Sequence, residues 1–460
     1  MTDGKCGKIL VLGLGLSGMA AAELAAKQRA SVTVLDACTS AALRERADSL
    51  TRRGVDVRLE WNESKWDAPA DLAIISPGIP HPSALGQLAH QLQCPVVSEL
   101  EYGFRFCSCP ILAITGTNGK TTTTELVTHC LKHAGRKVLA AGNIGKPLCE
   151  AATRSAQLDF LVVEVSSFQL EHVDRFAPLA AALLNVTPDH LDRYADFDDY
   201  CRTKLRIFKN VPRADHVVLR EDLRAVENVR GELPRDGAEP VAFTSRESLF
   251  ASYFLSADNV LCRRTGNSVE RLMPRADLKL RGLHNVENVL AALALCELAG
   301  VPPRDVVPHA RAFVPGAHRL EVVAFHNGVR FVNDSKATNI DALQQSIATT
   351  VAESRGRIFL IAGGVDKGVD FAPIAPLLEK HASEVFLIGR CRERLAKQWG
   401  HVVSCKVFAS LTAAVNAAVE SATSGDTVLL APGCASQDMF TDYAERGREF
   451  CNLVKRRVGE

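Results

Sequence analysis

What the chain lacks narrows the field before any motif is read. No apolar run approaches the roughly 18 to 20 residues needed to span a bilayer, so no membrane span is expected. Lys5 and Lys8 precede an apolar stretch as in a signal peptide, but Gly13, Gly15 and Gly18 interrupt it, which suits a strand and a turn better. Charge of one sign is also missing. The 54 basic and 53 acidic side chains leave a formal charge of +1, without the basic excess or cluster that a phosphate-backbone partner calls for. No nucleic-acid partner is expected. The 14 cysteines, among them Cys6, Cys38, Cys94, Cys107 and Cys109, form no CxxC pair and no regular spacing. They read as reduced, mostly buried thiols of a cytoplasmic protein, and no zinc site is expected.

What is present is a repeating pattern: a short apolar run, a Gly-rich or polar turn, then an amphipathic stretch. It predicts α/β architecture with largely parallel sheets, and 460 residues suggest about three domains. In the first block, strands are predicted at 9–12, 32–35 and 72–75, with a helix near 19–27. A change in composition near 107–110 places a boundary. The second block opens with a strand at 111–115, a Gly-rich loop and a helix from about Thr121. Buried strands follow at 160–163 and 180–184, residues 230–237 read as a surface loop, and 285–298 as a helix. Residues 301–303 and 314–316 lead to a third block, with strands at 329–332, 358–361, 385–388 and 427–430.

The strongest local signal is Gly116-Thr117-Asn118-Gly119-Lys120-Thr121-Thr122, between a predicted strand and helix. Such a turn lets backbone N–H groups converge on phosphate oxygens at a helix N-terminus. Lys120 can neutralise the outer phosphates, and the Thr121 hydroxyl can ligate magnesium. Ile114 stands where the strict P-loop pattern has its first glycine. Glu164 follows one apolar strand and His190 another, and ligands of parallel sheets lie beyond such carboxyl ends. Glu164 suits magnesium directly; imidazole is a less usual ligand for it. Gly13-Leu14-Gly15-Leu16-Ser17-Gly18, with Asp36 after the next strand, forms a dinucleotide-binding fingerprint that alone would point to NAD. The sharper reading is that it accommodates some nucleotide diphosphate, with Asp36 close to a sugar or base; the alternative is that the glycines only permit tight strand–helix packing. Asn333-Asp334-Ser335-Lys336-Ala337-Thr338-Asn339, Gly363-Gly364-Val365-Asp366-Lys367 and Ala431-Pro432-Gly433-Cys434-Ala435-Ser436 occupy equivalent strand ends, and individually are weak signals.

Taken together, these segments resemble the Mur ligases over nearly the whole chain. The likeness rests on GLGLSG, GTNGKTT, GNIG at 142–145, EVSSFQLE at 164–171 and NVTPDHLDRY at 185–194. It continues through KLRIF at 204–208, HNVEN at 284–288, HRLE at 318–321 and NDSKATN at 333–339. The last segment points to the branch that adds D-glutamate; the shared ATPase core alone would also fit folylpolyglutamate synthases.

The resemblance implies a UDP-substrate domain at 1–108 with a Rossmann-like fold, a central P-loop ATPase at 109–316 and a Rossmann-like amino-acid domain at 317–460. It implies ATP, two magnesium sites, UDP-N-acetylmuramoyl-L-alanine and D-glutamate as partners, and a monomer. The first magnesium would sit on Thr121 and Glu164, the second on His190 and a carbamylated Lys204. The nucleotide would be met by Gly116 to Thr122 and by Asn285, Asn288, Arg319, Asp334 and Lys336. Lys120, Glu164, His190, Lys204, Arg319 and Lys336 would serve catalysis. Leu16, Ser17, Asp36, Gly78, Asn143, Ser166 and His190 match positions around the UDP substrate; Thr338, Lys367, Ser436 and Tyr443 match those around D-glutamate. Ala37 and Cys38 replace a Thr-Arg pair of some relatives, and Tyr443 and Gln437 replace Phe and Leu.

Overall fold

With no disulfide among the described residues, buried strands must carry the architecture, and the computed structural model builds three sheets from them. It describes residues 7–354 and 356–459; Lys5 and Cys6 lie outside the described residues. The first sheet holds β1 (Lys8–Leu12), β2 (Ser31–Leu35), β3 (Asp56–Arg58), β4 (Leu72–Ile75) and β5 (Val96–Ser98) in the order β3-β2-β1-β4-β5. Every pairing in it is parallel. That is the doubly wound arrangement, with the order reversing at β1. The Ala-rich helix Leu16–Lys27 packs flat on the sheet because its inward face is Ala20, Ala21, Leu24 and Ala25.

The second sheet holds β6 (Ile111–Thr115), β7 (Val138–Gly142), β8 (Phe160–Glu164), β9 (Ala180–Leu183), β10 (Val217–Arg220), β11 (Val241–Thr244), β12 (Tyr253–Leu255), β13 (Val260–Thr265) and β14 (Ser268–Pro274). Its order is β14-β13-β12-β11-β10-β9-β6-β8-β7. The central strands β6 and β9 are buried at every position, as strands covered on both faces must be. Only the β12–β13–β14 edge turns antiparallel.

The third sheet holds β15 (Glu321–His326), β16 (Val329–Asn333), β17 (Ile358–Gly363), β18 (Ala382–Ile388), β19 (Ser404–Val407) and β20 (Thr427–Leu430), in the order β15-β16-β20-β17-β18-β19. β15 is its antiparallel edge. The remaining pairs are parallel.

By compactness the chain forms two units. The first comprises the described residues up to Val186 with Asp198–Asp277 and Glu287–Ala312, and so contains the first two sheets. The second comprises Thr187–Phe197, Leu278–Val286 and the chain from Phe313, and contains the third sheet. Within the first unit, the short helix Glu99–Phe104 joins the two sheets. Glu101 is fully buried there and accepts three backbone N–H bonds, from Asp174, Arg175 and Phe176, while pairing with Arg105.

One predicted loop is corrected. Residues 230–232 continue a helix, Glu227–Glu232, because Val229 inserts fully into the core and anchors its single turn-and-a-half. The rest of that stretch is irregular, as predicted. Pro303 does not merely punctuate: it opens the helix Pro303–Ala312, where its missing N–H is not needed. Among the described residues, no helix is long and apolar enough to cross a membrane.

Candidate active site

The first unit builds its site from backbone. β6 leads into Gly116 and Gly119, and Gly119 caps the helix Lys120–His133 in the left-handed region at φ 83°. A Cβ on Gly119 would stand 2.3 Å from Asn288 Oδ1, so only glycine lets that buried amide close on the loop. Asn185 clamps the loop on its other side. Its Oδ1 accepts from Asn118 N at 2.9 Å, its Nδ2 donates to Asn118 O at 3.1 Å, and its carbonyl accepts from Thr117 N. The Lys120 ammonium folds over the loop and donates to the carbonyls of Gly116 and Thr117, both at 2.9 Å. Lys204, only 1% exposed, donates to the same Gly116 carbonyl at 2.9 Å and lies 4.7 Å from the Tyr200 ring centre. Thr117 Oγ1 meets the Tyr200 hydroxyl at 3.2 Å. A helix N-terminus ringed by two lysines on one carbonyl suits a polyanion.

Glu164 ends β8, in register with Ile114 of β6, and is 1% exposed. Its Oε1 accepts from Asn143 Nδ2 at 2.7 Å, and its Oε2 is buried with no hydrogen-bond partner among the described residues. An orphaned carboxylate oxygen at a phosphate-loop strand end fits a hard cation that takes oxygen ligands, as magnesium does. Asn143 also donates its backbone N–H to the Glu164 carbonyl. It is thus engaged with Glu164, a role that its place in GNIG does not announce. Ser166 is the N-cap of the helix Ser167–Leu170 in a reciprocal capping box with Gln169.

In the first sheet, the glycine turn is a close approach of strand to helix. A Cβ on Gly18 would fall 1.8 Å from the Gly13 carbonyl. Asp36 accepts the backbone N–H of Leu14 at 2.6 Å and of Cys38 at 2.8 Å, tying the turn to the end of β2. Leu16 is 67% exposed beside half-buried Ser17, and Gly78 is exposed as well.

The second unit builds its site from side chains. Asp189, 3% exposed, is held by Lys367 Nζ at 3.0 Å and by Asn339 Nδ2 at 3.2 Å. Burial alone would push its carboxyl up. The Lys367 ammonium and neighbouring His190, with the hydrogen bonds from Lys367 and Asn339, outweigh that and leave it below the usual carboxylate range. His190 adopts a left-handed φ of 56°, its N–H bonded to Asp189 Oδ1.

Arg319 sits between two left-handed residues, His318 and Leu320. Asp334 accepts from Leu320 N at 3.2 Å and from the Ser346 hydroxyl, and its enclosure pushes the carboxyl up to about 6. Lys336 Nζ lies 4.0 Å from the Tyr443 ring centre, a cation–π contact. Ser436 is buried on the loop after β20; Thr338 lies half-buried just before the N-cap Asn339. Asn285 belongs to this unit and donates to the Arg281 carbonyl.

His318, Glu321 and Cys451 also converge here as a possible metal ligand set. The Asn333 amide nitrogen lies between them, within hydrogen-bond distance of all three, and so fills the place a metal would take.

The predicted residues therefore divide. Gly116 to Thr122, Asn288, Glu164 and Lys204 lie in the first unit, as do Leu16, Ser17, Asp36, Gly78, Asn143 and Ser166. His190, Asn285, Arg319, Asp334, Lys336, Thr338, Lys367, Ser436 and Tyr443 lie in the second. Sequence reasoning missed Asn185, Tyr200 and Asp189. The first and last stand inside the quoted NVTPDH segment, so their position was visible although their roles were not.

Comparison with known proteins agrees with this fold. Three family models match in succession: a Mur ligase MurD-like N-terminal domain at 7–98, a Mur ligase middle domain at 114–296 and a Mur ligase glutamate ligase domain at 318–434. The chain is 38% identical over 442 residues to the UDP-N-acetylmuramoylalanine--D-glutamate ligase of Geobacter metallireducens, covering 96% of each chain. It is 39% identical over 448 residues to the protein of the same name from Geotalea uraniireducens, covering 97% of each. Among solved structures, the MurF ligase of Thermotoga maritima in complex with ADP is similar in fold. Its TM-score is 0.61 at 17% identity, over 93% of this chain and 95% of that one. With three matching domains in order and near full-length relatives, the chain belongs to the Mur ligase family.

Proposed function

We propose that this enzyme joins D-glutamate to UDP-N-acetylmuramoyl-L-alanine at the expense of ATP, through an acyl phosphate, as a step in making peptidoglycan precursors in the cytoplasm. The single observation that carries the chemistry is the pairing of the Gly116–Lys120 cradle with the orphaned Glu164 oxygen at the end of β8. The near full-length relatives carry the choice of substrates.

In the first unit, the loop amides and Lys120 bind the nucleotide phosphates and offset charge as the terminal phosphoryl group moves to the L-alanyl carboxylate. Thr121 and Glu164 would hold one magnesium, and Lys204, as a carbamate, would serve a second. Bound there, magnesium supplies positive charge to the transferring phosphate. The enclosed Lys204 amine can add carbon dioxide with loss of one proton. The carbamate N–H can keep its bond to Gly116 while its oxygens supply anionic ligands.

The glycine turn and Asp36 shape the place for the uridine diphosphate, where Leu16, Ser17 and Gly78 are accessible. In the second unit, Arg319, Asp334 and Lys336 serve the nucleotide. Thr338, Lys367, Ser436 and Tyr443 hold D-glutamate, whose amine attacks the acyl phosphate and expels phosphate. The domain limits at 1–108, 109–316 and 317–460 and the monomeric state belong to the same proposal.

The test is release of ADP and phosphate by Lys120→Ala. Loss of D-glutamate-dependent release supports the reading, and its retention overturns it.

A further inference from the structure

Arg446 is the largest charged side chain in the third sheet's unit that water hardly reaches: it is 1% exposed. It lies one turn into the helix Tyr443–Val458, whose N-cap is Asp442. Its guanidinium makes four hydrogen bonds to two loops. Nε donates to Ser335 Oγ at 3.0 Å and Nη2 to Ser335 O at 2.9 Å, while Nη1 and Nη2 both donate to Cys434 O at 3.2 Å. Ser335, itself fully buried, passes the connection on by donating its hydroxyl to the Tyr443 carbonyl at 2.8 Å. One side chain thus fastens the loop after β16, the loop after β20 and the start of the last helix. Those three segments carry Lys336 and Thr338, Ser436, and Tyr443 respectively.

The energetics speak for geometry rather than for stability. Among the described residues, no carboxylate forms an ion pair with Arg446, and burial lowers its pKa only to about 10, so it stays charged at neutral pH. A buried cation hydrogen-bonded only to carbonyls and a hydroxyl, with the Asp438 charge nearby but not paired to it, is an expensive way to stabilise a fold, and an apolar side chain would do that better. What an apolar side chain cannot supply is the rigid planar fork, whose donors fix two carbonyls at set distances. The nucleotide-facing part of the same region has its own supports: Lys336 N donates to His318 O, and Asp334 is held by Leu320 N and Ser346.

We infer that Arg446 is a positioning residue of the amino-acid subsite: it sets Ser436 and Tyr443 against Thr338, so that the incoming amino acid is met in one geometry. The inference rests on the proposed reading that these three residues face D-glutamate. Small displacements of such groups are costly in affinity and rate even when nothing that touches substrate has changed.

The test uses the full-length enzyme in steady state, with the KM for D-glutamate, ATP and UDP-N-acetylmuramoyl-L-alanine measured separately. Arg446→Lys keeps the charge and loses the fork; Ser335→Ala leaves Arg446 in place and removes the hydroxyl that accepts from its Nε and relays to Tyr443. The expected result is a KM for D-glutamate raised on the order of tenfold to a hundredfold in Arg446→Lys, and less in Ser335→Ala. The KM for ATP should move far less in both.

An unchanged KM for D-glutamate in folded Arg446→Lys, or KM values for all three substrates rising together, overturns the inference. Should Arg446→Lys fail to fold, Ser335→Ala decides by the same criterion. A wild-type enzyme that saturates with D-glutamate beside a variant of unchanged KM removes this inference alone. A wild-type enzyme indifferent to D-glutamate removes the functional reading and this inference with it.

Discussion

The two units solve the same problem, fixing polar groups at strand ends, with different materials. Around Gly116–Lys120 the first unit uses backbone: glycines at positive φ, loop amides, and carbonyls that receive Lys120 and Lys204. The second unit uses side chains distant in sequence, in the Asp189–Lys367–Asn339 cluster and in the Arg446 fork. A backbone cradle is local and tolerates almost no added atoms. A side-chain lattice is non-local, and can be loosened one hydrogen bond at a time.

The largest effect should come from removing the cation over the cradle. Lys120→Ala is expected to lower the rate of ADP release by roughly a thousandfold or more, with the melting temperature little changed. Gly119→Ala comes next and tests the cradle itself. Its Cβ would meet Asn288 Oδ1 at a φ that L side chains avoid, so both nucleotide affinity and stability should fall, stability by about 1–3 kcal/mol. In the second unit, Asp189→Asn removes the partner of Lys367 while keeping the hydrogen bond from Asn339 within reach. It should weaken amino-acid use about tenfold or more, with smaller loss of fold, seen as a rise in KM without matching change in thermal unfolding.

Titration sets the units apart once more. Glu99, in the first unit, is buried and raised to about 7, its Oε1 receiving Cys149 N–H. Its folded state therefore holds a proton that the unfolded state releases, and the stability this contributes is lost as pH rises from about 4.5 to about 7. His284, in the second unit, is lowered to about 4 by burial. There the unfolded state binds the extra proton, so stability is lost as pH falls from about 6.5 to about 4. Glu99→Gln and His284→Gln should each flatten the pH dependence of unfolding in their own window, by about 1–3 kcal/mol at most. Slopes of the same sign for both would contradict the burial argument.

The same contrast explains what could be read in the amino-acid sequence. The phosphate loop was legible because seven consecutive residues carry the chemistry, and β6, β8 and β9 were legible because burial on both faces demands unbroken apolar runs. The cluster in the second unit was only half visible. Lys367 and Asp189 lie 178 residues apart, and Arg446 and Ser335 lie 111 apart, so no spacing rule connects them. The strands β13, β14 and β15 escaped for another reason. They are edge or ribbon strands with polar residues such as half-buried Arg263 and Arg264 and exposed Glu270 and Arg271, where the apolar signal is diluted. The short helix at Glu227–Glu232 hangs on Val229 alone, which no periodicity argument detects.

The measurement that tests the account most directly is ADP release by the full-length enzyme with UDP-N-acetylmuramoyl-L-alanine, D-glutamate and ATP, each omitted in turn. The account predicts release only with all three present, and none from Lys120→Ala. Release that persists without D-glutamate or without the UDP-linked substrate, or that L-glutamate supports equally well, would contradict it.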